Sequence, residues 1–205
     1  TIVIKSNENG TVDIDDLKAH LGPKTAGLML TNPNTVGLFD PNIMEITRLV
    51  HEAGGLCYYD GANLNAVIGI VRPADIGFDV IHMNLHKTFS TPHGGGGPGS
   101  GPCAYKDFLA PFAPGLVCKD GENYERAEKS IGNMTGFYGN FIVMVKAYTY
   151  LLTIGKEVYT LDQNAVLNAN YMQEKLKDLS PIAFDTTCMH EFVIGLDPIY
   201  RATHV

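Results

Sequence analysis

Short apolar runs that end in polar residues alternate with amphipathic stretches along the first half of this chain. "TAGLMLTN", "GLCYYDGAN" and "FDVIHMNLHK" are three such runs, each of strand length. Among them, "TVDIDDLKAHLG" predicts a short helix with aspartates near its start and Gly22 at its end. "PNIMEITRLVHEAGG" predicts another: Pro41 stands at its start, apolar residues follow at helical spacing, and a glycine pair stops it. Strands alternating with amphipathic helices imply an α/β fold, with a mainly parallel sheet covered by helices on both faces. Ligands of such sheets gather outside the carboxyl ends of the strands. Three candidate strand ends therefore matter: Thr31-Asn32, Asp60-Gly61 and His86-Lys87.

Farther along, "PCAYKDFLAPF" reads as a strand followed by a short helix. Gly155 separates two helical patterns, over residues 135–153 and 156–179, and "SPIAFDTT" and "HEFVIGL" read as strands. The 205 residues are 45% apolar and 18% charged, an ordinary globular composition. Opening on Thr1 and stopping soon after an apolar run, the sequence reads as a piece of something longer. A net charge of −7 without a basic block argues against nucleic acid. With no long apolar run and no leader, membrane insertion and secretion have no support. Cys57, Cys103, Cys118 and Cys188 lack metal-ligand or redox spacing and are expected as small buried hydrophobes in a reducing cytoplasm.

"NLHKTFSTPHGGGGPGSGP" places one lysine directly before a run of six glycines in eight residues. The run is not a phosphate loop, because Pro102-Cys103 follows its final glycine where Lys-Ser or Lys-Thr is required. Nor is it a free linker, since Pro92, Pro98 and Pro102 restrain it. It fits a loop that rearranges or lets a ligand approach the backbone closely. Most lysines are solvated surface charges. Lys87, however, follows an apolar strand and a histidine, and a lysine in a partly dry site is an amine nucleophile toward carbonyls. Imine-forming lysines point to pyridoxal phosphate, whose ring nitrogen needs a facing carboxylate. Asp60, at the end of the preceding strand pattern, is the candidate; by itself such an aspartate is more often a cap or turn residue.

"DGAN" followed by "NLHKTF" resembles the aspartate-aminotransferase fold type (fold type I) of pyridoxal-phosphate enzymes. "LMLTNPNTVGLFD" together with "NLHKTFSTPHGGGGPGSGP" resembles the glycine-decarboxylating P-protein of the glycine cleavage system, in the wording of subunit 2 of the two-subunit form. The resemblance covers nearly the whole chain. It implies a truncated cofactor-binding large domain over residues 1–153, then a linking helix and the start of a small C-terminal domain over residues 154–205. It implies a covalent cofactor on Lys87, Asp60 at the pyridine nitrogen and Ala62 under the ring. Asn63 or Asn32 would reach the phenolic oxygen, and Asn84 and His86 would contact phosphate or assist the lysine. The implied partners are glycine, the lipoylated H-protein, whose arm the glycine loop would accommodate, and subunit 1. The phosphate-binding turn and ring-stacking residue that the fold type places before the aspartate are not found between Thr1 and Asp60.

Three other readings remain. Another fold-type-I enzyme, such as an aminotransferase or a cysteine desulfurase, would carry the same lysine and aspartate. A non-catalytic companion subunit would have no need to keep both. A metal site from His82, His86 and His93 is disfavoured, because in a continuous strand the first two stand about 13 Å apart.

Overall fold

The computed structural model describes residues 1–97, 99–136 and 138–204; Pro98 of the glycine run lies outside them. Asp13 caps the first helix, α1 (Ile14–His20), its carboxylate accepting from the amides of Asp15 and Asp16. Strand β1 (Gly27–Thr31) leads to α2 (Ile43–Glu52), which turns Ile43, Ile46, Thr47 and Val50 inward at i, i+3, i+4 and i+7. Strand β2 (Leu56–Gly61) buries alternate residues, Cys57, Tyr59 and Gly61. Strands β3 (Val80–Met83) and β4 (Cys103–Tyr105) complete a sheet of order β1-β2-β3-β4. The first three are parallel and β4 is antiparallel.

Cys57 and Tyr59 pack with Ile43 and Val50 of α2, with Phe78, and with Val143 and Ala147 of α3 (Phe141–Ile154). The opposite sheet face differs from the expectation of cover on both sides. There Met29 is 67% exposed, and Leu56 and Tyr105 are exposed as well. Nothing among the described residues of this chain lies over that face to match the core layer.

Several sequence-based expectations shift. Helix α3 starts at Phe141, not near residue 135, because Gly139 has φ +85° and Asn140 caps the helix by accepting from Val143 N–H at 3.2 Å. Gly155 ends it, and α4 (Val158–Leu176) follows after a short 3-10 turn. A small hairpin of β5 (Leu116–Cys118) and β6 (Tyr124–Arg126) was not anticipated, nor was α5 (Asp197–Thr203). "SPIAFDTT" and "HEFVIGL" are not strands; they share one isolated bridge, Ile182 with Ile194. They pair only briefly, Ala183 N–H donating to Val193 O at 2.9 Å and Gly195 N–H to Pro181 O at 2.8 Å, and the turn between them is anchored on other elements. Cys188 N–H donates to Asn170 Oδ1 at 3.0 Å, its carbonyl accepts from Asn170 Nδ2 at 2.7 Å, and Met189 N–H donates to Gly37 O at 2.7 Å. Of the cysteines, Cys57 and Cys188 are buried as expected, whereas Cys103 and Cys118 are exposed.

At the amino end of the sheet Asp79 is a clamp, with 4% of its surface exposed. Its Oδ2 accepts from Cys57 N–H and from His51 Nε2, both at 2.8 Å, and Lys106 Nζ lies 3.1 Å from Oδ1. Helix α2, strand β2 and the segment after β4 thus meet on one carboxylate. His51, Cys57 and Asp79 bring ligand atoms within 4.8 Å of one another. Both carboxylate oxygens already have protein donors, though, and burial, followed by the charge of Asp79, pushes the Cys57 thiol up to about 12. The cluster is built as a hydrogen-bond clamp.

Burial by itself favours protonated Asp79, yet the hydrogen bonds from Cys57 N–H, His51 and Lys106 outweigh it and hold the carboxyl below its usual range. Its stabilising contribution is therefore complete above the ordinary carboxyl pKa and is lost as pH falls through the lower folded value. Asp79→Asn is expected to cost about 3–5 kcal/mol in urea unfolding at neutral pH. Below about pH 4 the wild type should lose stability more steeply than the variant.

Candidate functional site

The parallel register sets Thr31 beside Asp60 and Asp60 beside His82, and the antiparallel pairing sets His82 beside Cys103. These four positions form one row across the carboxyl ends of the parallel strands, on the open face of the sheet. Asp60 Oδ1 accepts from Ala62 N–H at 3.0 Å and lies 3.4 Å from His82 Nε2. Asp60 Oδ2 has no partner among the described residues.

Lys87 is not at a strand end. Strand β3 stops at Met83, and Lys87 stands exposed in a turn four residues on. Thr88, next to it, is buried and accepts from Leu64 N–H through Oγ1 at 2.8 Å. The loop that leaves Asp60 is thereby pinned to the turn that carries Lys87. The acid and the amine share one edge of the sheet.

The remaining candidates fall around this pair. Ala62 is half-buried and held by Asp60, and Asn84 is half-buried just beyond β3. Asn63 accepts from Asn65 N–H through Oδ1 at 2.9 Å, which leaves its amide nitrogen free among the described residues. Asn32 is different. It is 2% exposed, its Oδ1 accepts from Asp40 N–H at 2.8 Å, its carbonyl accepts from Tyr59 OH, and its Nδ2 is sealed away without a partner. Asn32 organises the loop after β1.

His86 is half-buried with an unpartnered Nδ1, and its ring meets that of His93 edge-on, centroids 4.8 Å apart. Burial, then the charges of His93 and Lys87, push its pKa down. His82 turns to Asp60 and Tyr58, so the three histidines do not gather into one ligand set. The glycine run leaves from this turn and returns beside β3, where Leu85 N–H donates to Ser100 O at 3.1 Å and Met83 N–H to Pro102 O at 2.9 Å. Gly101 is required at the return, since a Cβ there would sit 2.9 Å from Met83 O.

The family model described as Aminotransferase class-V matches residues 1–97. A probable glycine dehydrogenase (decarboxylating) subunit 2 from Caldanaerobacter subterraneus subsp. tengcongensis is 61% identical over 200 residues, covering 95% of this chain and 41% of that protein. A protein of the same description from Treponema denticola is 55% identical over 208 residues, covering 98% of this chain and 43% of the relative. The chain belongs to the glycine dehydrogenase (decarboxylating) subunit 2 family. It spans about two fifths of the length of these relatives.

Solved structures agree on the fold. A sphingosine-1-phosphate lyase from Burkholderia pseudomallei superposes with a TM-score of 0.62 at 18% identity, covering 91% of this chain and 44% of that one. A NifS-like protein superposes with a TM-score of 0.63 at 16% identity, covering 92% and 48%. At such identities the likeness speaks for the fold alone. It is that of the fold-type-I enzymes, as the sequence reading expects.

In this member of the glycine dehydrogenase subunit 2 family the structure adds a residue that sequence reasoning missed. His190, with a side chain only 6% exposed, reaches the Lys87 neighbourhood from the far end of the chain. Neither ring nitrogen makes a hydrogen bond among the described residues; Glu191 Oε1 is 3.3 Å from Nε2 but out of line for one. Burial pushes the His190 pKa down, the Glu191 carboxylate opposes, and the Lys87 cation adds to the lowering. Gly37 makes this approach geometrically feasible: it has φ +86°, and a Cβ there would lie 1.8 Å from Glu191 O. No local pattern marks His190, because its neighbour in space is set only by packing. Removing the cation in Lys87→Ala should raise the pKa values of both His86 and His190, read as histidine C–H shifts in an NMR pH titration.

Proposed function

We propose that the full-length protein carrying this chain is a pyridoxal-phosphate-dependent glycine dehydrogenase: glycine loses its carboxyl group as CO2, and the aminomethyl group passes to the lipoyl arm of H-protein. The observation that supports it most is the hydrogen bond from Leu64 N–H to Thr88 Oγ1. It brings the Asp60 loop and the Lys87 turn to one edge in a chain 61% identical to a protein named for that activity. When bound, the cofactor supplies a protonated ring that accepts the electrons released at the α-carbon.

The residues fit that group. The exposed amine of Lys87 can attach it covalently and afterwards carry protons to and from the substrate. The open Oδ2 of Asp60 accepts no hydrogen bond among the described residues and is suited to the charged ring nitrogen. Ala62 leaves room for a flat ring. Of the two asparagines, Asn63 has the free amide for the phenolic oxygen, since the corresponding group of Asn32 is sealed in the loop. Asn84 and His86, half-buried in the segment that leads from β3 to Lys87, are assigned to the phosphate side. The glycine loop, with open space around Gly95, Gly96 and Gly97, is assigned to the lipoyl arm. The other partner is the companion subunit that the relatives' designation "subunit 2" implies. No helix among the described residues is long and apolar enough to cross a membrane, and the cytoplasm is the proposed compartment.

Lys87→Ala should abolish the visible absorbance of bound cofactor. It should also lower glycine-dependent CO2 exchange with lipoylated H-protein by roughly 10²-fold or more. Wild-type protein that binds the cofactor and acts on other amino acids, with no glycine exchange, would point to an aminotransferase or desulfurase instead. Replacing Gly95 and Gly96 together by valine should cut aminomethyl transfer by up to roughly 100-fold while leaving the absorbance intact. Unchanged transfer would reject the loop's role.

A further inference from the structure

We infer that His82 is a positioning residue for Asp60, fixed in a single tautomer by Tyr58, and that together they present one oxygen of the Asp60 carboxylate to the cofactor's ring nitrogen. The inference deepens the proposed function and rests on it. The register places Asp60 opposite His82, with Tyr58 two residues earlier on the same face. Tyr58 OH lies 2.8 Å from His82 Nδ1, and His82 Nε2 lies 3.4 Å from Asp60 Oδ1. A carboxylate only accepts, so the imidazole proton belongs on Nε2. Nδ1 is then the acceptor, and the tyrosine hydroxyl donates to it. Burial, and then the nearby Cys103 and Asp60, raise the Tyr58 pKa, which keeps that hydroxyl protonated.

The Nε2 contact is long for a hydrogen bond, as catalytic contacts often are before a ligand tightens them. Its geometry nonetheless divides the carboxylate. Oδ1 accepts from the Ala62 amide and is the oxygen that approaches His82 at 3.4 Å, while Oδ2 accepts no hydrogen bond among the described residues. A carboxylate fixed through one oxygen presents the other in a set direction, which a flat aromatic nitrogen donor requires. A surface histidine without a role would have no need of a tyrosine on one nitrogen and an acid on the other.

Two measurements on the full-length protein test this. In the cofactor-free protein, 15N NMR of labelled histidine should show His82 neutral with its proton on Nε2, and Tyr58→Phe should let the tautomers mix. With 15N-labelled pyridoxal phosphate bound, the wild-type ring nitrogen should be protonated. His82→Phe should move that signal toward the unprotonated position and weaken cofactor binding about 10- to 100-fold. His82→Gln, which keeps an N–H donor, should restore most of both. A proton on Nδ1 in the cofactor-free protein overturns the inference; so does a His82→Phe variant with unchanged ring signal and affinity. Wild-type protein that takes up no cofactor refutes the proposed function instead, and the tautomer measured without cofactor still decides for His82.

Discussion

One buried hydrogen bond, from the amide of Leu64 to the hydroxyl of Thr88, holds the carboxyl edge of the sheet together. Both residues are buried, so leaving either group unpaired would cost about 1–3 kcal/mol of desolvation. The bond is more than a local contact. Leu64 closes the loop that begins at Asp60, and Thr88 follows Lys87 in the turn beyond β3. Strand pairing aligns β2 with β3 only as far as Gly61 and Met83. Beyond that, the relative placement of acid and amine depends on this link.

The two ends of the sheet are built on opposite principles. At the amino end Asp79 has donors from α2, β2 and the segment after β4, and both of its oxygens are satisfied. At the carboxyl end, groups are left open among the described residues: the buried His86 Nδ1 and both nitrogens of His190, and beside them the partly exposed Asp60 Oδ2. Buried polar atoms without partners are rare in folded proteins and call for an explanation, a ligand or a catalytic role among them. The clamp at one end supplies the rigidity that lets the other end carry unsatisfied groups in fixed positions.

The last fifty residues serve the same edge. Asn170 of α4 grips the Cys188 peptide from one side, and Gly37 receives Met189 from the other. Held at both points, the segment delivers His190 to the Lys87 neighbourhood, where low polarity and a nearby cation both favour the neutral ring. Two short-range devices in distant parts of the sequence thus set one electrostatic environment.

What the amino-acid sequence determined by itself was the local grammar. Apolar runs of strand length, the periodic inner face of α2 and the polar residues closing β1 and β2 are properties of neighbouring positions, and they pointed to Asp60 and Lys87 through strand-end logic and family resemblance. Where the grammar was weak, reading failed. The two C-terminal runs have strand composition, but they pair only around the Ile182–Ile194 bridge, and the Cys188-Met189 turn between them is held by Asn170 and Gly37, a constraint visible only in space. Tertiary structure alone set the different surroundings of Asn32 and Asn63, the placing of His82 beside Tyr58 and Asp60, and the arrival of His190. Each depends on strand register or on chain segments far apart in sequence, and a hydrogen bond between them leaves no periodic trace in the order of residues.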